Sequence, residues 1–147
     1  MDLTATVSTL MTKKLVTLKP NASLQDAQDI FNKMSIHHIP VTIGDKLVGM
    51  LSKTDMLYFV KGFAVDAQAE NDSRLESYKV RDIMTEGMAK LGADDRINVA
   101  LDIFKLNIFH ALPVVDENDN LVGIFTTHDI IKQLSLEDDD NIKKGLN

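Results

Sequence analysis

The chain repeats itself. Residues 7–41 superpose on residues 80–114 at a shift of 73, placing Val7 on Val80, Met11-Thr12 on Met84-Thr85 and Ala27 on Ala100. The same shift brings Ile30-Phe31 onto Ile103-Phe104, His37 onto His110 and Pro40-Val41 onto Pro113-Val114. One extra loop residue then moves the shift to 74, so that Leu47-Val48-Gly49 falls on Leu121-Val122-Gly123 and Asp55 on Asp129. Fifteen of 46 aligned positions are identical. Such a duplication confines the fold to two copies of one supersecondary unit. A unit of roughly 50 residues buries too little surface for comfortable independent stability. The two copies are therefore expected to pack through equivalent faces, as a pseudo-two-fold pair with two equivalent clefts.

Each copy predicts the order β-α-β-β-α, a mixed α/β (α+β) fold. Leu15–Leu18 and Met88–Leu91 are short β-like runs. Ser23 followed by Asp26 is a capped helix start, and Leu24, Ala27, Phe31 and Met34 then share one helical face. Ile97, Ala100 and Phe104 repeat that face, with Asp94 or Asp95 as the expected cap because Arg96 stands where Ser23 does. His38–Ile43 and Ala111–Val115 read as strands, joined through hairpin turns to Leu47–Leu51 and Leu121–Phe125. The last helices start near Thr54 and His128. The expected organisation is unit 1 over residues 5–61, a polar linker over 62–79, unit 2 over 80–135 and an acidic, frayed tail over 136–147. Phe63–Val65 is expected to extend the helix that precedes the linker.

Composition removes whole classes of function. With 16 basic against 22 acidic residues, a net charge of −6, a general nucleic-acid-binding surface is not expected. There is no Cys, hence no thiol nucleophile, thiolate metal site or disulfide, which favours the cytoplasm. The N-terminal residues lack a charged-then-apolar signal pattern, and no apolar run approaches the roughly 20 residues of a membrane span. His37 and His38 are adjacent on an extended stretch and point to opposite faces, so no metal site is expected. The chain shows no Ser/His/Asp order, P-loop or dinucleotide-binding fingerprint, and an enzyme is not expected.

The chemistry concentrates at one junction, written twice: GMLSKTD at 49–55 and GIFTTHD at 123–129. Gly permits close backbone approach. The hydroxyl of Ser52 or Thr126 stands where a strand ends, and Thr54 or His128 adds a polar group near a helix N-terminus, where free N–H groups favour an anion such as phosphate. Asp55 and Asp129 follow in the first turn, where a carboxylate can accept both hydroxyls of a ribose. Plain helix capping explains the same residues at a single occurrence. Their recurrence in register favours a nucleotide site.

Together the segments VSTLMTKKLVTLKPNASLQDAQDIFNKMSIHHIPV with LVGMLSKTD, and VRDIMTEGMAKLGADDRINVALDIFKLNIFHALPVV with LVGIFTTHD, resemble a tandem pair of cystathionine β-synthase (CBS) domains, a Bateman module, over residues 5–135. The likeness is to stand-alone, bacterial-type CBS-domain proteins. It implies a regulatory module that binds AMP, ADP, ATP or an S-adenosylmethionine-like ligand reversibly in the clefts between the units. It also implies a homodimer and a downstream protein target. By position, Asp55 and Asp129 would hold ribose, while Ser52, Thr54, Thr126 and His128 would face phosphate. Backbone around Val16-Thr17 and Ala89-Lys90 would enclose base and sugar. So would the stretches 36–40 and 109–113, which contain His37, His38, Pro40, His110, Ala111 and Pro113.

The two halves differ in charge. Residues 1–61 hold seven Lys against five Asp, whereas residues 78–134 hold six basic against nine acidic residues. Lys53 at the first helix start is matched by Thr127 at the second, Pro20 is replaced by Ala93, and Asp94-Asp95 adds negative charge. The first motif is accordingly expected to prefer phosphorylated ligands, with the second weaker or serving a ligand without phosphates. A ligand-independent dimerisation or interaction module is the alternative.

Overall fold

A computed structural model describes residues 1–62 and 73–145. In chain order it contains a 3-10 turn at Val7–Thr9, α1 (Leu24–Lys33), β1 (His38–Ile43), β2 (Lys46–Ser52) and α2 (Lys53–Lys61). The second half holds α3 (Val80–Ile83), β3 (Leu91–Gly92), α4 (Ile97–Phe104), β4 (Ala111–Val115), β5 (Leu121–Thr126) and α5 (Thr127–Gly145). The fold is mixed α+β, with an antiparallel β1–β2 pair and a sheet of order β3-β4-β5.

The packing does not divide the chain where the repeat does. One compact unit is Val16–Met88; the other joins Met1–Leu15 to the residues from Ala89 onward. Each repeat has given its leading segment to the core of the other. Val80 is fully buried with Leu18, Leu24, Ala27, Phe31, Ile39, Val41, Leu51 and Met56. Val7 is fully buried with Leu91, Ile97, Ala100, Leu112, Val114 and Phe125. Backbone pairing fixes the exchange. Val80 N donates to Ala22 O at 2.9 Å, and Thr85 and Met50 exchange two bonds of 2.9 Å. In the other unit Val7 N donates to Asp95 O at 2.7 Å, while Thr12 and Ile124 exchange bonds of 2.9 and 3.0 Å.

The glycines of the duplicated motif make room for these leading segments. A Cβ on Gly49 would stand 2.6 Å from Met84 Sδ and 3.1 Å from Thr85 O; on Gly123 it would stand 2.5 Å from Met11 Sδ and 3.1 Å from Thr12 O. The close approach for which these glycines are needed is thus made by the Met-Thr segments.

In the unit Val16–Met88, Ser23 Oγ accepts from Asp26 N at 3.1 Å to cap α1. Leu24, Ala27 and Phe31 form the buried face of that helix. Met34, expected on the same face, lies past the last helical residue with ψ 141° and is exposed. The first expected strand shrinks to a single parallel bridge, Leu18 with Val41. The hairpin after β1 turns at Gly44, whose φ of +61° suits a residue without Cβ. Residues 73–77, expected as linker, are helical, and Leu75 enters the core. The expected continuation of α2 through Phe63–Val65 lies outside the described residues.

In the other unit the N-cap of α4 is Arg96, with extended φ and ψ of −79° and 152° and no side-chain cap. Asp95 instead accepts from Gly92 N at 2.8 Å, so neither it nor Asp94 caps the helix as the spacing suggested. The longer hairpin is closed by Asp116, whose carboxylate accepts from the N–H groups of Asn118 and Asn120, both at 2.9 Å. Those donors, Asn120 foremost, hold its pKa below the ordinary Asp value. The stretch expected to fray is helical as far as Gly145, where α5 ends.

Candidate functional site

In Val16–Met88 the end of β2 meets the start of α2. Ser52, extended at φ −99° and ψ 156°, is the N-cap. Its Oγ accepts from Asp55 N at 3.0 Å, and its own N–H donates to Asp55 Oδ2 at 2.9 Å. This reciprocal capping box fixes both side chains at the positive end of the helix. Lys53 N donates to His37 O at 2.8 Å, tying the residue before β1 to the same corner. The antiparallel register then sets His38 opposite Ser52 and Pro40 opposite Met50. Leu18 runs parallel to β1, donating to Pro40 O at 3.0 Å and accepting from Thr42 N at 2.9 Å. Val16 and Thr17 consequently lie toward the His38 end. His37, Lys53, Thr54 and Thr17 are exposed, Val16, His38, Ser52 and Asp55 half-buried, and Pro40 buried.

The other unit builds the same corner from β5 and α5. Thr126 N donates to Asp129 Oδ2 at 2.8 Å, and Thr126 Oγ1 accepts from Asp129 N at 3.1 Å. Thr127 N donates to His110 O at 3.1 Å, matching the His37–Lys53 tie. Ala111 pairs with Thr126 and Pro113 with Ile124, while β3 runs parallel to β4 with Leu91 beside Val114. That direction carries Ala89 and Lys90 toward the Ala111 end. The Lys90 ammonium is drawn to Asp119 Oδ1 at 2.7 Å. His110 and His128 are exposed, Thr126, Thr127 and Asp129 half-buried, and Ala111 and Pro113 buried.

Each compact unit thus holds a full set of the residues singled out in the sequence. Val16, Thr17, His37, His38, Pro40 and Ser52–Asp55 belong to one; Ala89, Lys90, His110, Ala111, Pro113 and Thr126–Asp129 belong to the other. Pro40, Ala111 and Pro113 are buried, and the remaining residues of each set are exposed or half-buried. One side chain at this corner was not singled out in the sequence: Thr12 Oγ1 donates to Asp129 Oδ1 at 3.2 Å across 117 residues of sequence. Its only signal was its place in the repeated Met-Thr pair. A carboxylate has about four acceptor positions. Capping therefore leaves Asp55 able to accept a vicinal diol, beside a hydroxyl and a helix N-terminus suited to an anion.

Comparison with known proteins gives a consistent family. The model of the CBS domain matches twice, over residues 7–62 and 80–136. The uncharacterized protein MJ1232 of Methanocaldococcus jannaschii is 32% identical over 123 residues, covering 84% of this chain and 37% of that protein. The inosine-5'-monophosphate dehydrogenase of Thermoplasma acidophilum is 29% identical over 137 residues, covering 93% of this chain and 25% of the enzyme. The chain therefore spans well under half the length of these relatives. Among solved structures, CBSX2 in complex with AMP is 25% identical with a TM-score of 0.74, covering 90% of this chain and 98% of that one. The duplicated corner and the doubled family match agree: this chain belongs to the CBS domain family, as a tandem pair.

Proposed function

We propose that the chain is a non-catalytic regulatory module that binds an adenine nucleotide (AMP, ADP or ATP) or a related adenosyl ligand such as S-adenosylmethionine. The observation that carries this reading is the recurrence, in both units, of a carboxylate and a hydroxyl held at a helix N-terminus beside the end of the neighbouring strand. The complex of CBSX2 with AMP supports the ligand class. Asp55 and Asp129 accept the ribose hydroxyls; Ser52, Thr54, Thr126 and His128 face phosphate, with Lys53 adding charge at the first junction. The match to the smaller part of a dehydrogenase fits a regulatory role, in which the ligand shifts a conformational population and a protein target reads the shift. The test is a thermal-shift screen of AMP, ADP, ATP and S-adenosylmethionine. A ligand at 100 times its Kd should stabilise by about 2.7 kcal/mol, several degrees for a chain of this size. Absence of a shift with all four would contradict the reading.

Assembly is the second part of the proposal. Leu57 and Tyr58 on α2, and Ile131, Leu134, Leu136 and Ile142 on α5, are exposed apolar side chains. We propose that they serve a homodimer, which is also what a ligand-independent dimerisation module would use. Light scattering at tens of micromolar should give twice the chain mass of 16.4 kDa. A sharp monomer peak would exclude the dimer, and a dimer that shows no thermal shift would favour the ligand-independent module.

A further inference from the structure

Resting on the reading of both junctions as adenosyl-ligand sites, we infer that the two are unequal. Asp55 is open, Asp129 is closed by the hydroxyl of Thr12, and Thr12 sets the affinity of the second junction. The two carboxylates occupy the same place in the repeat but differ in what they already hold. Asp129 accepts three hydrogen bonds: from Thr126 N at 2.8 Å and Thr126 Oγ1 at 3.0 Å on Oδ2, and from Thr12 Oγ1 at 3.2 Å on Oδ1. Asp55 accepts one from Ser52 N at 2.9 Å on Oδ2, and among the described residues no hydrogen bond reaches its Oδ1.

Thr85 is the repeat counterpart of Thr12 and makes the same antiparallel bridge, to Met50 where Thr12 bridges to Ile124. Its hydroxyl makes no hydrogen bond to Asp55 among the described residues, so the difference is one of side chain and not of backbone. The capping hydroxyls differ in the same sense. Thr126 spends its proton on Asp129, whereas Ser52 accepts from Asp55 N without donating to the carboxylate, so its proton is left for a ligand oxygen. A ribose diol needs two acceptor positions on one carboxylate. At Asp55 it finds them; at Asp129 it must first displace Thr12. Thr12 is exposed, so its displaced hydroxyl turns to water and the second junction is weakened rather than abolished.

The test is calorimetric titration of the full chain with AMP and with S-adenosylmethionine. Asp55→Ala isolates the second junction. Adding Thr12→Val removes the hydroxyl at nearly constant shape, while the backbone bonds of 2.9 and 3.0 Å between Thr12 and Ile124 keep the segment seated. The affinity of the remaining site should then rise about three- to tenfold, the net worth of one ordinary hydrogen bond, because water solvates the freed, partly exposed carboxylate. Thr12→Ser should keep the weaker affinity, and Thr85→Val in an Asp129→Ala chain should leave the first junction unchanged. Equal affinity with and without Thr12→Val would overturn the inference, as would an equal gain from Thr85→Val. Failure of Thr12→Val to produce an event where Asp55→Ala shows none would overturn it too. A wild-type chain that takes up neither ligand would remove the site reading itself, whereas wild-type binding with unresponsive Thr12 variants would remove only the inequality.

Discussion

Asp55→Asn should weaken binding of AMP or S-adenosylmethionine at the first junction by about tenfold or more. The side chain keeps its size and one oxygen, so it can still accept from Ser52 N, now 2.9 Å from the carboxylate. The cap of α2 and the fold are thereby preserved. What is lost is a negative acceptor able to take both ribose hydroxyls. Hydrogen bonds to a charged group contribute about 1.5–3 kcal/mol, and the lower figure already corresponds to a tenfold change. Asp55→Ala should lose at least as much affinity, with some added fraying of α2 from the broken box. Calorimetry on both variants, with circular dichroism to confirm the fold, checks the expectation. Wild-type affinity in Asp55→Asn would mean that the carboxylate serves only as a cap.

The second large effect concerns the exchanged leading segments. Phe125 is fully buried and packs 6.0 Å, centroid to centroid, from Phe104. Truncation to Ala should cost about 3–5 kcal/mol through lost apolar contact and the cavity left behind. Hydrogen exchange should show which residues loosen with it. Val7 belongs to the Phe125 core, with Leu10 and Met11 packed against it. Amides of residues 1–15 should therefore exchange faster together with those of 89–145. Residues 18–61 and 80–88, which share the core of Leu51 and Val80, should keep their protection. Faster exchange confined to residues 80–136, with 1–15 unaffected, would return the packing to the boundaries of the repeat.

That exchange was not legible in the sequence, for a physical reason. Met11-Thr12 and Met84-Thr85 are identical pairs, and so are the Leu-Val-Gly runs that receive them. Periodicity identifies the two partners without saying which copy of one meets which copy of the other. Strands His38–Ile43 and Ala111–Val115 were legible because short apolar runs bounded by turn residues have few alternatives. Leu75 was not, since one buried residue in a polar stretch leaves no periodic trace. The acidic stretch after Ser135 looked frayed on charge alone. Its helix instead gains local bonds, Gln133 Nε2 to Glu137 Oε1 at 3.1 Å and Ser135 Oγ to Ile131 O at 3.0 Å, and ends with Lys143 and Lys144 near the negative pole of its dipole. At the junctions, Ser52 with Asp55 and Thr126 with Asp129 could be found from spacing, whereas Thr12 could not. Its bond spans 117 residues and depends on the exchange.

Amide-resolved NMR of the full chain titrated with AMP, and separately with S-adenosylmethionine, tests the central claim most directly. The account predicts saturable shifts at the N–H groups of Ser52, Lys53, Thr54 and Asp55, with His37 and Thr17 following because they share that corner. Weaker shifts should follow at Thr126–Asp129 at higher ligand concentration. Shifts confined to the hairpin turns or to the far end of α5, or a spectrum that neither ligand changes, would contradict it.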